Sequence, residues 1–225
     1  MNIVFFTSFH PKKLDPKFWN IRELEYIHTL KFFRDFPREC FVFDNSIDSI
    51  TDLIEDDIVS LITKKDFPFQ IHNNFFSKSS YNSNNTLGYL ELLELLIEKF
   101  SDNSSFPLTV INGRILNYET LLSKLPKFLR NDNLKTNKAI LFKSRRSSNP
   151  KNHSEEIMYF SNTKSLLTYT SNLKLKVFSY GKNLGDGLNE LVEEGKIKVI
   201  EHHMIILKHF HTNKSNYAIT EMKCI

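Results

Sequence analysis

The chain has little of what usually announces a function. Its 225 residues hold two cysteines, Cys40 and Cys224, and no Cys-x-x-Cys pair. That excludes a thiolate zinc site and makes a reducing, cytosolic setting the expectation. There are six glycines, and the densest group, Gly181, Gly185 and Gly187, matches neither a P-loop nor a Gly-x-Gly-x-x-Gly fingerprint. No Gly-x-Ser-x-Gly or His-Glu-x-x-His motif occurs, and no cysteine and histidine share a known nucleophile spacing. These absences argue against dinucleotide binding, α/β-hydrolase chemistry and zinc-protease chemistry. Long apolar runs are missing too. The opening Met1-Asn-Ile-Val-Phe-Phe6 lacks a basic lead and is too short for a signal peptide or a membrane span, so any membrane association is expected to be peripheral. There is no internal repeat and no sustained heptad.

What is present is an ordinary globular composition, 40% apolar and 25% charged. A chain of this length buries roughly 70% of its unfolded surface, and twenty phenylalanines are available to fill the core. The formal charge is +4 and the pI about 8.9. This fits a mildly basic soluble protein, or attraction to polyanions or an anionic membrane face. Basic residues are spread along the chain, which disfavours a dedicated nucleic-acid surface. The one cluster is Lys143, Arg145 and Arg146, in a Ser/Asn/Pro-rich stretch.

Hydrophobic periodicity predicts alternating strands and helices. Residues 3–7 read as a buried strand. Residues 21–36 read as an amphipathic helix with Leu24, Ile27, Leu30 and Phe33 inward, and 40–43 as a second buried strand parallel to the first. Residues 47–57 read as a short helix, and 58–63 as its continuation or a strand. Residues 66–86 read as a long irregular stretch, and 87–100 as the strongest helix. Strands are then expected over 108–111, 139–142 and 156–160, and helices over 118–129, 161–171 and 188–194, the last entered through a flexible loop at 181–187. Residues 197–200 and 203–210 are strand or helix. The fold class is α/β, with a mostly parallel central sheet flanked by helices, over residues 1–205; residues 206–225 are expected to pack on it as an extension.

The residues with chemical potential lie where strands are expected to end. The strand at 108–111 runs into Asn112, Gly113 and Arg114. Glycine permits close approach of a ligand to the backbone, and the planar guanidinium suits phosphate. The plainer alternative is a turn glycine beside a surface arginine. Glu91, placed in the first turn of its helix, either complements the helix dipole or aims a carboxylate into a cleft, where it binds hydroxyls or acts as a base. Asp44, Asn45 and Ser46 form an Asx-type turn or helix cap, or recognise a base or ribose; Thr7 and Ser8 share that ambiguity. Glu201, His202 and His203 form the densest histidine cluster. Adjacent histidines on a strand face opposite ways, which disfavours a metal site. His28, on the first helix, reads as a core histidine.

The order of these pieces resembles the small bacterial GT-A-type glycosyltransferases that build surface polysaccharides. The resemblance spans residues 1–205. It is carried by Val4 to Thr7, Tyr26 and Phe41 to Ser46, then by Asn85-Thr-Leu-Gly88-Tyr-Leu-Glu91 against the family's Asn-Lys-Gly-x-x-Glu. Val110-Ile-Asn112-Gly113-Arg114-Ile115 stands against Lys-x-x-Gly-Arg-Tyr, and Glu201-His202 against a glutamate followed by histidine. Val110 and Ile115 replace the family's lysine and tyrosine, and no Asp-x-Asp motif is present, which leaves divalent-metal dependence open. The resemblance implies a single Rossmann-like domain that transfers a sugar from a nucleotide-sugar, such as a uridine diphosphate sugar, to a saccharide or lipid-linked saccharide in capsule, O-antigen or lipooligosaccharide synthesis. The setting would be the cytoplasmic face of the inner membrane. It assigns the diphosphate to Arg114 with help from Lys143, Arg145 and Arg146, sugar hydroxyls or the acceptor proton to Glu91, and the nucleoside to Thr7, Ser8 and Asp44. Asn45, Ser46, Gly88, Asn112, Gly113, Glu201 and His202 complete the expected donor site. The alternatives are a non-catalytic nucleotide-binding module and a nucleic-acid-binding module.

Overall fold

The computed structural model describes residues 2–10, 15–33, 40–46, 69–72, 85–102, 106–112, 136–143, 157–201, 208–212 and 217–221. The elements are β1 (Asn2–Thr7), α1 (Trp19–Phe33), β2 (Cys40–Asp44), β3 (Phe69–His72), α2 (Asn85–Lys99), β4 (Leu108–Asn112), β5 (Ala139–Lys143), β6 (Ile157–Phe160), α3 (Thr163–Lys174), α4 (Leu184–Glu193), β7 (Ile197–Glu201), β8 (Lys208–Thr212) and β9 (Tyr217–Glu221). Strands β1 to β7 form one seven-stranded sheet in the order β3-β2-β1-β4-β6-β5-β7, and β8 and β9 pair with each other as a separate ribbon. In the large sheet β6 alone runs against its neighbours β4 and β5; the remaining pairings are parallel. The sheet is thus mixed and mostly parallel, as the alternating pattern predicts.

Parallel strands covered on both faces read as near-continuous apolar runs. The runs at 3–6, 41–43, 139–142 and 157–160 are buried throughout for that reason. Alternate side chains divide between two faces. Val4, Phe6, Phe41, Phe43, Val110, Leu141, Met158 and Phe160 share one core with α2, α3 and α4. The apolar side of α2 supplies Tyr89, Leu90, Leu92, Leu93, Leu95, Leu96 and the following Phe100, while Glu94, Glu98 and Lys99 stay exposed. Each fully buried leucine there contributes roughly 1.5–3 kcal/mol, and Leu93 sits at the centre of the stripe. The helices are fixed at their starts by side chains. Asn162 caps α3 in a capping box with Ser165, and Asn183 caps α4.

Several elements depart from expectation. Among the described side chains of α1, Glu23, Glu25 and Tyr26 are buried, while Leu24 is 57% exposed, and Tyr26 and Glu23 meet the loop after β1; the side chains of Ile27, His28, Leu30 and Phe33 lie outside those described. The 66–86 stretch is not wholly irregular: β3 forms within it, paired with β2. Helix α2 starts at Asn85. Helix α4 starts at Leu184, so Gly185 and Gly187 belong to the helix rather than to a flexible entry. Leu184 N–H also donates to Thr86 Oγ1 at 3.0 Å, joining α4 to α2. Helix α3 continues as a π-helical turn, Leu175–Ser179. Residues 197–201 and 208–212 are strands. The expected helices at 47–57 and 118–129, the segment 58–63 and most of the basic loop lie outside the described residues. Among the described residues, no helix is long and apolar enough to cross a membrane.

Candidate functional site at the carboxyl ends of the strands

Register decides which residues meet. Thr7 lies beside Asp44 across β1 and β2, and Phe6 beside Asn112 across β1 and β4. The ends of β1, β2 and β4 therefore share one edge of the sheet. Lys143 and Glu201 are paired at the ends of β5 and β7, which run in the same sense and finish at that edge as well. The chain moves outward from β1 to β2 and β3, then places β4 on the other side of β1. Such a switch point opens a crevice at the carboxyl ends, where open α/β sheets bind ligands.

Asp44 is fully buried at this edge. Its Oδ2 accepts from Thr7 Oγ1 at 2.8 Å and from the Phe9 N–H at 3.0 Å. Its Oδ1 accepts from the Ser46 N–H at 2.7 Å and Ser46 Oγ at 2.8 Å. Ser46 Oγ in turn accepts from the His10 N–H at 2.9 Å. One carboxylate thus ties the loop after β1 to the turn after β2, and it includes the Asx turn expected at Asp44 to Ser46. Ser8 is held by its backbone. Its N–H donates to Tyr26 Oη at 3.0 Å and its carbonyl accepts from Arg22 Nε at 2.5 Å. None of these bonds uses the Ser8 hydroxyl, and the residue is half-buried.

Asp44 and Asn45 are consecutive, so their side chains leave the strand end on opposite sides. Asn45 reaches α2. Its Nδ2 donates to the Gly88 carbonyl at 3.0 Å and to Glu91 Oε2 at 3.3 Å. Its Oδ1 is buried without a hydrogen-bond partner among the described residues. Glu91 is 6% exposed. Burial pushes its carboxyl from 4.5 up to about 7, the charge of Glu94 adds to the rise, and the Asn45 hydrogen bond opposes it. Glu91 lies beyond the first turn of α2, which holds no acidic residue. Helix-dipole complementarity, which acts within the first turn, therefore does not account for it. A buried carboxyl poised near neutrality can accept hydroxyl donors or take a proton.

The structure adds a group that the sequence did not single out. The His10 ring stacks on Trp19, with centroids 4.5 Å apart and planes 11° from parallel, and its Nε2 pairs with Glu23. Glu23 is buried on α1. These residues lie thirteen apart in sequence, and although Glu23 falls on the helical stripe of Ile27 and Leu30, nothing local pairs it with a histidine of the preceding loop. The available signal was a histidine just past a strand end followed by the chain's single tryptophan.

Of the expected site residues, Thr7, Ser8, Asp44, Asn45, Ser46, Gly88 and Glu91 are brought together. Asn112 and Glu201 are placed by their backbones at strand ends. Gly113, Arg114, Arg145, Arg146, His202 and His203 lie outside the described residues. Among the described residues, no group of three or more His, Cys, Asp and Glu could hold a metal ion.

No protein-family model matches the chain, and no curated protein matches its sequence. Solved structures do. An active-site mutant of LgtC superposes with a TM-score of 0.50 at 11% identity, over 90% of this chain and 74% of that one. A proposed nucleotide-diphospho-sugar transferase from Desulfovibrio desulfuricans G20 gives 0.47 at 9% identity, over 89% and 79%. The CTP:phosphocholine cytidylyltransferase LicC of Streptococcus pneumoniae gives 0.47 at 9% identity, over 89% of each chain. Together with the strand order, the LgtC likeness identifies the architecture as a GT-A-like α/β fold with a mostly parallel sheet flanked by helices.

Proposed function

We propose that the protein is a glycosyltransferase that moves a sugar from a nucleotide-sugar to a saccharide acceptor in surface-polysaccharide synthesis. The observation that carries this reading is the buried Glu91 carboxyl, hydrogen-bonded to Asn45 at the carboxyl edge of the sheet, beside the β1 loop held by Asp44. In glycosyl transfer the bond from the anomeric carbon to the diphosphate breaks, and negative charge grows on the leaving group. Fixed cations or a metal must stabilise that charge. Arg114, two residues beyond β4, is assigned this role, with Lys143, Arg145 and Arg146 assisting. Glu91 accepts hydroxyls of the sugar or takes the acceptor's proton. Ser8 and Thr7 meet the nucleoside, within the frame that Asp44 holds. A lipid-linked acceptor would place the enzyme at the cytoplasmic membrane face.

Incubating the protein with a panel of nucleotide-sugars, and following nucleoside diphosphate release by mass spectrometry, tests the reading. Slow release from one donor is expected, since transferases hydrolyse their own donor. No release from any donor, with or without added saccharides and manganese, would overturn it in favour of a non-catalytic nucleotide-binding module.

A further inference from the structure

We infer that His10, oriented by Glu23 and backed by Trp19, selects the base of the nucleotide by accepting a hydrogen bond from a ring N–H. The inference rests on the reading of the β1 edge as the nucleoside end of a nucleotide site. His10 follows Ser8 by two residues, and its backbone is anchored to the turn after β2 through Ser46 Oγ. Its side chain is held on two further sides, by the Trp19 ring and by the buried Glu23 carboxylate. A neutral imidazole carries one N–H. The carboxylate, an acceptor, places that proton on Nε2 and leaves Nδ1 as a bare acceptor. Among the described residues no bond uses Nδ1, and the side chain is 14% open. The Ser8 hydroxyl likewise has no bond among the described residues and can donate to a neighbouring carbonyl oxygen. An acceptor beside such a donor matches a base edge with a ring N–H next to a carbonyl, as in uracil, thymine and guanine. Cytosine and adenine present a bare ring nitrogen there, and two lone pairs would face each other. The other ionisable groups of the cluster are Arg22, which bonds the Ser8 carbonyl, Tyr26, which accepts from the Ser8 N–H, and Asp44, beneath Ser46.

The test is calorimetric binding of UDP, GDP, CDP and ADP to the full chain at pH 8. Wild type should bind UDP or GDP about tenfold or more tighter than CDP and ADP, since a mismatched edge leaves buried polar groups unpaired. His10→Ala should bring the ratio close to one. Glu23→Gln keeps the ring but lets the amide N–H donate to Nε2, so the imidazole proton moves to Nδ1. The preference should then shrink or invert toward CDP and ADP, which a purely structural role would not produce. Circular dichroism establishes that each variant is folded, and either folded variant alone decides the question. Equal wild-type affinity for all the nucleotides, or an unchanged preference in a folded variant, overturns this inference and leaves the transferase proposal standing. Failure of wild type to bind any nucleotide overturns both.

Discussion

Glu91 couples the candidate site to the stability of the fold, and Glu91→Gln measures that coupling. Burial raises the carboxyl from 4.5 in the unfolded chain to about 7 in the folded one. Between those values the unfolded chain has released its proton while the folded chain retains it, so stability falls with rising pH. The favourable contribution is fully present below pH 4.5 and lost above 7. At about 1.4 kcal/mol per pH unit, the loss is about 3 kcal/mol. Glutamine has nearly the same shape and never ionises. Asn45 Nδ2 can still donate to its carbonyl, and Asn45 Oδ1, buried without a partner among the described residues, offers an acceptor for the new amide. Urea unfolding of both proteins from pH 4 to pH 8 should show the stability of Glu91→Gln relative to wild type rising by about 3 kcal/mol across the range, even though the proposed transferase activity drops. Parallel stability curves, or a wild type that gains stability from this group as pH rises, would refute the claim that Glu91 sits in an environment hostile to its charge.

Asp44→Ala should destabilise the fold by about 3–5 kcal/mol in chemical denaturation, because it strands the Ser46 hydroxyl and the Phe9 and Ser46 N–H groups away from water, while the Thr7 hydroxyl can turn to the Phe43 carbonyl. Arg114→Ala should weaken donor binding or turnover more than tenfold with an unchanged melting temperature, in line with a charge-assisted contact of about 1.5–3 kcal/mol; unaltered kinetics would remove Arg114 from the site. Asn162→Ala removes the side-chain half of the capping box on α3, the Oδ1 that accepts from the Ser165 N–H, and should cost about 1 kcal/mol in thermal unfolding, with donor binding unaffected.

Much of the architecture was legible because burial on both faces leaves a mark in the sequence. The apolar runs that became β1, β2, β4, β5 and β6 could sit stably only inside a sheet covered on both sides, and the apolar stripe of α2 could be satisfied only against it. β3 was not legible: Phe69–His72 is four residues long, set among asparagines and serines, and becomes a strand through its pairing with β2. Leu24 of α1 was misread for a related reason. Periodicity turns Leu24 inward, but Tyr26, Arg22 and Glu23 are drawn in by the Ser8 backbone and the His10 ring, and Leu24 is left to solvent.

The site shows the same division. Composition and residue order determined that Asp44, Asn45 and Ser46 end one strand, that Thr7 and Ser8 end another, and that Glu91 rides on the strongest helix, because these are properties of local segments. That Asp44 binds the β1 loop while Asn45 turns to Glu91 was decided by register and by the alternation of a strand's side chains between its faces. The raised affinity of Glu91 for its proton and the pairing of His10 with Glu23 were decided the same way. A carboxyl's charge depends on the water and dipoles around it, and those are set by chain segments distant in sequence that only folding brings together.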